Sequence, residues 1–104
     1  MTNPADTLDE AVRDKLDAVA FRRLLAHLDN RKDVQNIDLM ILANFCRNCL
    51  GDWWREAAAS EGIDVSKEDS RERVYGMPYT EWKASHQKPA TPEQIEAFEA
   101  RRNK

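Results

Sequence analysis

A chain of 104 residues with 16 Lys+Arg against 19 Asp+Glu, net charge −3, lacks the basic balance of a nucleic-acid binder, and Arg22-Arg23 and Arg101-Arg102 are too short to supply a positive face. The charged fraction of 34% exceeds the roughly one quarter usual in soluble domains, and three Gly with four Pro leave little turn chemistry for hairpins, which favours helices. Met1–Asp6 is polar, and the longest apolar run, Leu39 to Ala43, stops at Asn44, far short of the roughly twenty residues of a membrane span.

Thr7-Leu8-Asp9-Glu10 matches a capping box, so a helix is expected after it, through Val12, Leu16, Val19, Phe21, Leu24, Leu25 and Leu28. Those positions diverge into two stripes near Ala20, which predicts a break or two packing partners. Asp29–Asp33 reads as a polar loop. Asn36 is the expected N-cap of a second helix ending near Glu61, with Gly62 as its left-handed terminator and Ile63 as the apolar residue that follows. At about 100° per residue, Leu39, Leu42, Ala43, Cys46, Cys49, Leu50, Trp53 and Ala57 share one stripe, while Met40, Ile41, Phe45 and Trp54 lie off it. A helix so apolar belongs at the centre of the fold or in an oligomer interface. Gly51 within it costs about 1 kcal/mol relative to Ala, acceptable where another backbone comes close.

Further along, Ser66-Lys67-Glu68-Asp69 caps a short helix ending near Gly76, and Pro78 opens a segment carrying Tyr79, Glu81, Trp82 and His86. Lys88-Pro89-Ala90 connects to Thr91-Pro92-Glu93-Gln94, which combines an N-cap, Pro at the first helical position and Gln at the third; Ile95 and Phe98 anchor the helix that follows. No segment alternates with period two. The expected fold is all-α: one domain, residues 1–104, of four or five helices around a central helix over about residues 36–61, with 1–6 and 102–104 flexible.

The hexapeptide Phe45-Cys46-Arg47-Asn48-Cys49-Leu50 holds both cysteines. With Asp33-Val34-Gln35-Asn36-Ile37-Asp38-Leu39 before it, and Tyr75-Gly76-Met77-Pro78-Tyr79 and Glu81-Trp82-Lys83 after it, the chain resembles the domain of unknown function 1244 family of short bacterial proteins. The resemblance runs from about Phe21 to Phe98. It implies a small helical bacterial protein and supplies no activity.

Four chemistries fit the cysteine helix. Cys46 and Cys49 read first as small apolar core residues. As a redox dithiol they are close enough in sequence to form a disulfide, but reactive Cys-x-x-Cys pairs use a helix N-terminus, and the expected N-cap, Asn36, lies ten positions before Cys46. As metal ligands they supply two of the four donors zinc wants, leaving His27 and His86 to complete the set. Finally, Arg47, Asn48 and Asp52 lie off the stripe: Arg47 grips carboxylate or phosphate, Asn48 donates and accepts, and Tyr75, Tyr79, Glu81 and Trp82 could wall a pocket. The alternative for that set is a buried network pinning two helices, with Arg47 paired to Glu81 or Asp52.

No nucleophile–base order, phosphate-binding glycine loop or paired-carboxylate spacing stands out, so catalysis is not expected. The leading expectation is a cytoplasmic interaction or assembly module, with the Trp54/Arg47 side as contact surface and an unidentified protein partner possible. A metal- or thiol-dependent protein using Cys46 and Cys49, and an anionic small-molecule site around Arg47 and Asn48, are the alternatives. No cofactor is expected, zinc being the alternative. Neither nucleic acid nor membrane is an expected partner. Trp53 and Trp54 point about 100° apart and cannot both face one small core; with the apolar central helix, this predicts a two-fold homodimer.

Overall fold

A computed structural model describes residues 3–101. Among these, all regular structure is helical: a 3-10 turn over Pro4–Thr7, then α1 (Glu10–Asp29), α2 (Asn36–Ala43), α3 (Arg47–Ser60), α4 (Lys67–Tyr75), α5 (Tyr79–His86) and α6 (Pro92–Ala100). None of these helices is long and apolar enough to cross a membrane. The all-α expectation holds, with six helices among the described residues where four or five were expected. Residues 102–104, expected to be flexible, lie outside the described residues, as do the first two. The backbone divides into two compact units, residues 1–30 and 31–104.

In the first unit, Asn3 Oδ1 accepts from Ala5 N (3.0 Å) and the Thr7 hydroxyl donates back to Pro4 O (2.8 Å). That hydroxyl is therefore spent on the turn rather than on the capping box expected of it, and α1 starts later, after Asp9. Arg13 Nη2 donates to Ala5 O (3.0 Å), tying turn to helix. The helix runs unbroken past Ala20, and Val12, Leu16 and Val19 are exposed.

The second unit corrects the sequence reading at its centre. The single helix expected over 36–61 is two helices, because Asn44 takes the left-handed conformation (φ 60°, ψ 31°) and its N–H closes α2 on Met40 O. Asn enters that region at less cost than most residues, since its short polar side chain bonds locally. Here Asn44 Oδ1 accepts from Arg101 Nη1. Cys46 is extended and becomes the N-cap of α3. The break resets the helical register, so the expected stripe is not continuous: Leu39, Cys46, Leu50 and Gly51 are buried, whereas Leu42 is 82% and Trp53 54% exposed.

Local end signals elsewhere act as expected. At the end of α3, Ile63 N bonds Ala58 O and Gly62 N bonds Ala59 O, with Gly62 at φ 75°, the two-bond closure of a Schellman motif. Ser66 Oγ accepts from Asp69 N (3.1 Å) at the start of α4, and Gly76 (φ 74°) ends it. Thr91 and Gln94 form a reciprocal capping box on α6 (2.8 and 3.1 Å). The N-cap of α2 is Gln35 rather than Asn36, and Asp38 Oδ2 reaches back to Gln35 N (2.9 Å). The other oxygen of Asp38 accepts from Gln94 Nε2 (2.8 Å), joining the first turns of α2 and α6.

α3 packs on α4, α4 on α5 and α2 on α6. At Gly51 the α4 backbone does come close: an added Cβ would stand 3.5 Å from Ser70 O and 3.6 Å from Arg71 Cα. Those are ordinary contact distances, so the approach suits glycine without demanding it. Leu39, Leu50, Val74, Tyr75 and Trp82 are the large buried apolar and aromatic side chains among the described residues of this unit.

Candidate functional site

Arg47 opens α3 and is 2% exposed. Its guanidinium has only donors, and they go to Val34 O (2.8 Å), Arg31 O (2.9 Å) and Asn36 Oδ1 (3.1 Å). The same plane lies over the Trp82 ring, 5.0 Å from its centroid. Its backbone N–H, one of the groups a helix start leaves unpaired, is directed at Asn36 Oδ1 (3.4 Å). The network that was one expectation for Arg47 exists, with other partners: neither Asp52 nor Glu81 pairs with it, and both are exposed.

Because Arg47 can only donate, Asn36 must turn its carbonyl oxygen toward it, which leaves Asn36 Nδ2 to donate to Tyr75 OH (2.9 Å). Tyr75 OH, having accepted, donates to Asn48 Oδ1 (2.7 Å). The permanent charge thus fixes the direction of a chain running Arg47, Asn36, Tyr75, Asn48, and such chains polarise one another in a low-dielectric interior. Burial pushes the Tyr75 phenol above its ordinary range, the Asn36 hydrogen bond pulling the other way. Tyr75 therefore stays a neutral relay. Aromatic packing locks it, with ring centroids 4.9 Å from Trp82 and 5.1 Å from Tyr79.

A cavity of about 520 Å³ lies beside this chain, with Asn36, Asn48, Tyr79, Lys83 and Lys88 among its lining. One wall is pinned by the buried Gln35 amide, whose Nε2 donates to His86 O (3.0 Å) and whose Oε1 accepts from Lys88 N (2.8 Å).

Of the residues singled out in the sequence, Arg47, Asn48, Tyr75, Tyr79 and Trp82 form one cluster. Asp52 and Glu81 stand exposed, and Trp54 is half-buried on α3 without a part in it. Gln35 and Asn36 were missed as site residues, Asn36 having been read as a cap; nothing local marks an amide that will bond across more than ten residues. Lys83 and Lys88 were missed because isolated lysines look like solvated surface.

Cys46 and Cys49 are free thiols with Sγ atoms 3.9 Å apart, Cys46 buried and Cys49 half-buried. They occupy the N-cap and third position of α3, so the sequence argument that distanced them from a helix start no longer applies. Burial nevertheless pushes the Cys46 thiol above its ordinary value, against the opposing effect of the Cys49 and Asn48 backbone N–H groups. Among the described residues no three His, Cys, Asp or Glu side chains cluster closely enough to hold an ion. His86 packs its ring on Trp82 (5.6 Å between centroids), and His27 is exposed on α1.

The second unit is thus a small helical domain organised around a buried arginine, with a cation-lined groove and exposed apolar side chains on α2 and α3. The chain belongs to the family described as a protein of unknown function (DUF1244), whose model matches residues 34–100, nearly all of that unit and none of α1. The chain matches no curated protein.

Proposed function

We propose that this protein is a non-catalytic assembly module of the bacterial cytoplasm that works as a two-fold homodimer. The observation that carries this reading is an apolar ridge at the start of α3, where Phe45 stacks on Trp53 at 6.4 Å between centroids and Trp53 is 54% exposed, with Leu42 82% exposed on α2. Large aromatic side chains held rigid at a surface are typical anchors of protein contacts. Trp53 stands between Cys49 one turn before and Ala57 one turn after, both small. A second copy approaching about a two-fold axis can lay its own Trp53 there, as a self-complementary interface requires. Arg47, expected to share the contact surface, is buried and instead braces the helix that presents the ridge. Light scattering at micromolar concentration should give a dimer, and Trp53→Ala should weaken it by about tenfold or more with helix content unchanged. A wild-type monomer under those conditions would remove the reading.

A second reading, a dithiol protein, is supported by the position of Cys46 and Cys49 in the first turn of α3. A low-molecular-weight disulfide would be attacked by the more accessible Cys49 thiolate, expelling one thiol. Cys46 would then displace the second, leaving the pair oxidised and the reagent reduced to two thiols. With the Cys46 thiol pushed up by burial, the expected outcome at neutral pH is the mixed adduct on Cys49, converting to the disulfide faster as the pH is raised. Intact-mass measurement distinguishes that adduct from a chain two hydrogens lighter; rapid formation of the latter at neutral pH would favour the dithiol reading.

A further inference from the structure

The groove beside Asn36 and Asn48 is built to present donors, and we infer that it binds a small organic anion through a carboxylate or phosphate head. The direction of the hydrogen-bond chain decides which atoms face outward. Asn36 Oδ1 accepts from Arg47 and Asn48 Oδ1 accepts from Tyr75, so both amide oxygens are consumed inside the protein. Each amide nitrogen carries two hydrogens. Asn36 Nδ2 spends one on Tyr75, and Asn48 Nδ2 takes part in no hydrogen bond among the described residues. What these two side chains offer the groove is therefore N–H. Tyr79 OH donates to Gln87 Oε1 (3.4 Å), which likewise leaves the Gln87 amide nitrogen as a donor.

Charge points the same way. Lys83 and Lys88 line the groove and, among the described residues, no Asp or Glu does, in a chain whose net charge is −3. A cleft lined by one sign of charge concentrates ions of the other. The donors are also held in place before any ligand arrives. Arg47 and Tyr75, both buried, fix the amides from behind, and buried Gln35 fixes the backbone on either side of Gln87. Preorganised donors lose little entropy on binding. Ile37 and Pro89 add apolar lining, and a volume of about 520 Å³ lies within the range of small-molecule sites, about 300–1,000 Å³. The matching ligand has an oxyanion at one end and an apolar body at the other.

The test uses the full chain with phenyl phosphate and benzoate as probes, inorganic phosphate to isolate the head group, and benzyl alcohol as the neutral analogue. Binding is followed by NMR titration of the side-chain NH₂ signals of Asn36 and Asn48, alongside melting temperature. Saturable shifts of those signals are expected with at least one organic anion. Inorganic phosphate should bind more weakly, and benzyl alcohol should produce no saturable shift. Lys83→Ala combined with Lys88→Ala, two exposed positions, should reduce affinity by about tenfold or more while leaving the melting temperature of the free protein unchanged. Equal binding of benzyl alcohol would show an apolar crevice instead. Absence of a saturable shift with every anion, or affinity untouched by the double substitution, would overturn the assignment. The NMR titration reads Asn36 and Asn48 directly whether or not the protein dimerises, so the groove and the dimer stand or fall separately.

Discussion

Replacing Arg47 with alanine should cost about 3–5 kcal/mol, comparable to breaking a buried ion pair. The variant leaves Val34 O without its donor and takes one of two donors from Arg31 O, which keeps Val34 N, and from Asn36 Oδ1, which keeps the backbone N–H of residue 47. An unsatisfied carbonyl out of reach of water costs about 1–3 kcal/mol, loss of the buried stem and of its contact with Trp82 adds to that, and water entering the vacated space offsets part of it. A domain of this size has about 5–15 kcal/mol in total, so the urea midpoint should fall by roughly 2 M. Arg47→Lys is the informative companion. It keeps the charge but not the planar fork that reaches three acceptors and sits over the Trp82 ring. It should therefore recover less than half of the loss. A loss below about 1 kcal/mol for Arg47→Ala would mean that the guanidinium is not what holds residues 31–36 to the start of α3.

Trp82→Ala should be as damaging, at about 3–5 kcal/mol, the range for removing a large aromatic from a core. Trp82 is 2% exposed and is the surface against which Arg47, Tyr75 and His86 all pack. Its loss opens a cavity and frees two members of the hydrogen-bond chain. Trp82→Phe keeps a ring against Tyr75 and should cost markedly less. Since Arg47 and Trp82 touch, the double alanine variant should fall short of the sum of the singles by about 0.5–3 kcal/mol in chemical denaturation. Strict additivity would indicate that the guanidinium–indole contact contributes nothing beyond burial.

How far the sequence revealed this architecture depended on the range of each signal. The ends at Ser66, Gly76, Thr91 and Gly62–Ile63 were legible because a cap is a bond between residues three to five apart, written in adjacent letters. The break at Asn44 was not, because neither Gly nor Pro marks it and apolar residues flank it on both sides, Leu39 to Ala43 before and Phe45 after. One unrecognised residue then displaced the cysteines from mid-helix to a helix start and turned Leu42 and Trp53 outward. The candidate site was half legible. Tyr75, Tyr79, Trp82, Arg47 and Asn48 drew notice by residue type, but Asn36 and Gln35 gain their roles from partners 39 and 51 residues away in sequence. Such pairings are decided by tertiary packing.

The doubly used carboxylate of Asp38 bears on how this protein opens. A helix near a chain end ordinarily frays on its own, independently of the interior. α6 is not placed to do so, because the Gln94 side chain that completes its own cap also holds one oxygen of the carboxylate that caps α2. Releasing α6 withdraws support from the helix that positions Asn36, and so reaches the hydrogen-bond chain behind the groove. The first turns of α2 and α6 share one carboxylate, so the cap at Gln35 and a side chain 56 positions beyond Asp38 are held by the same group.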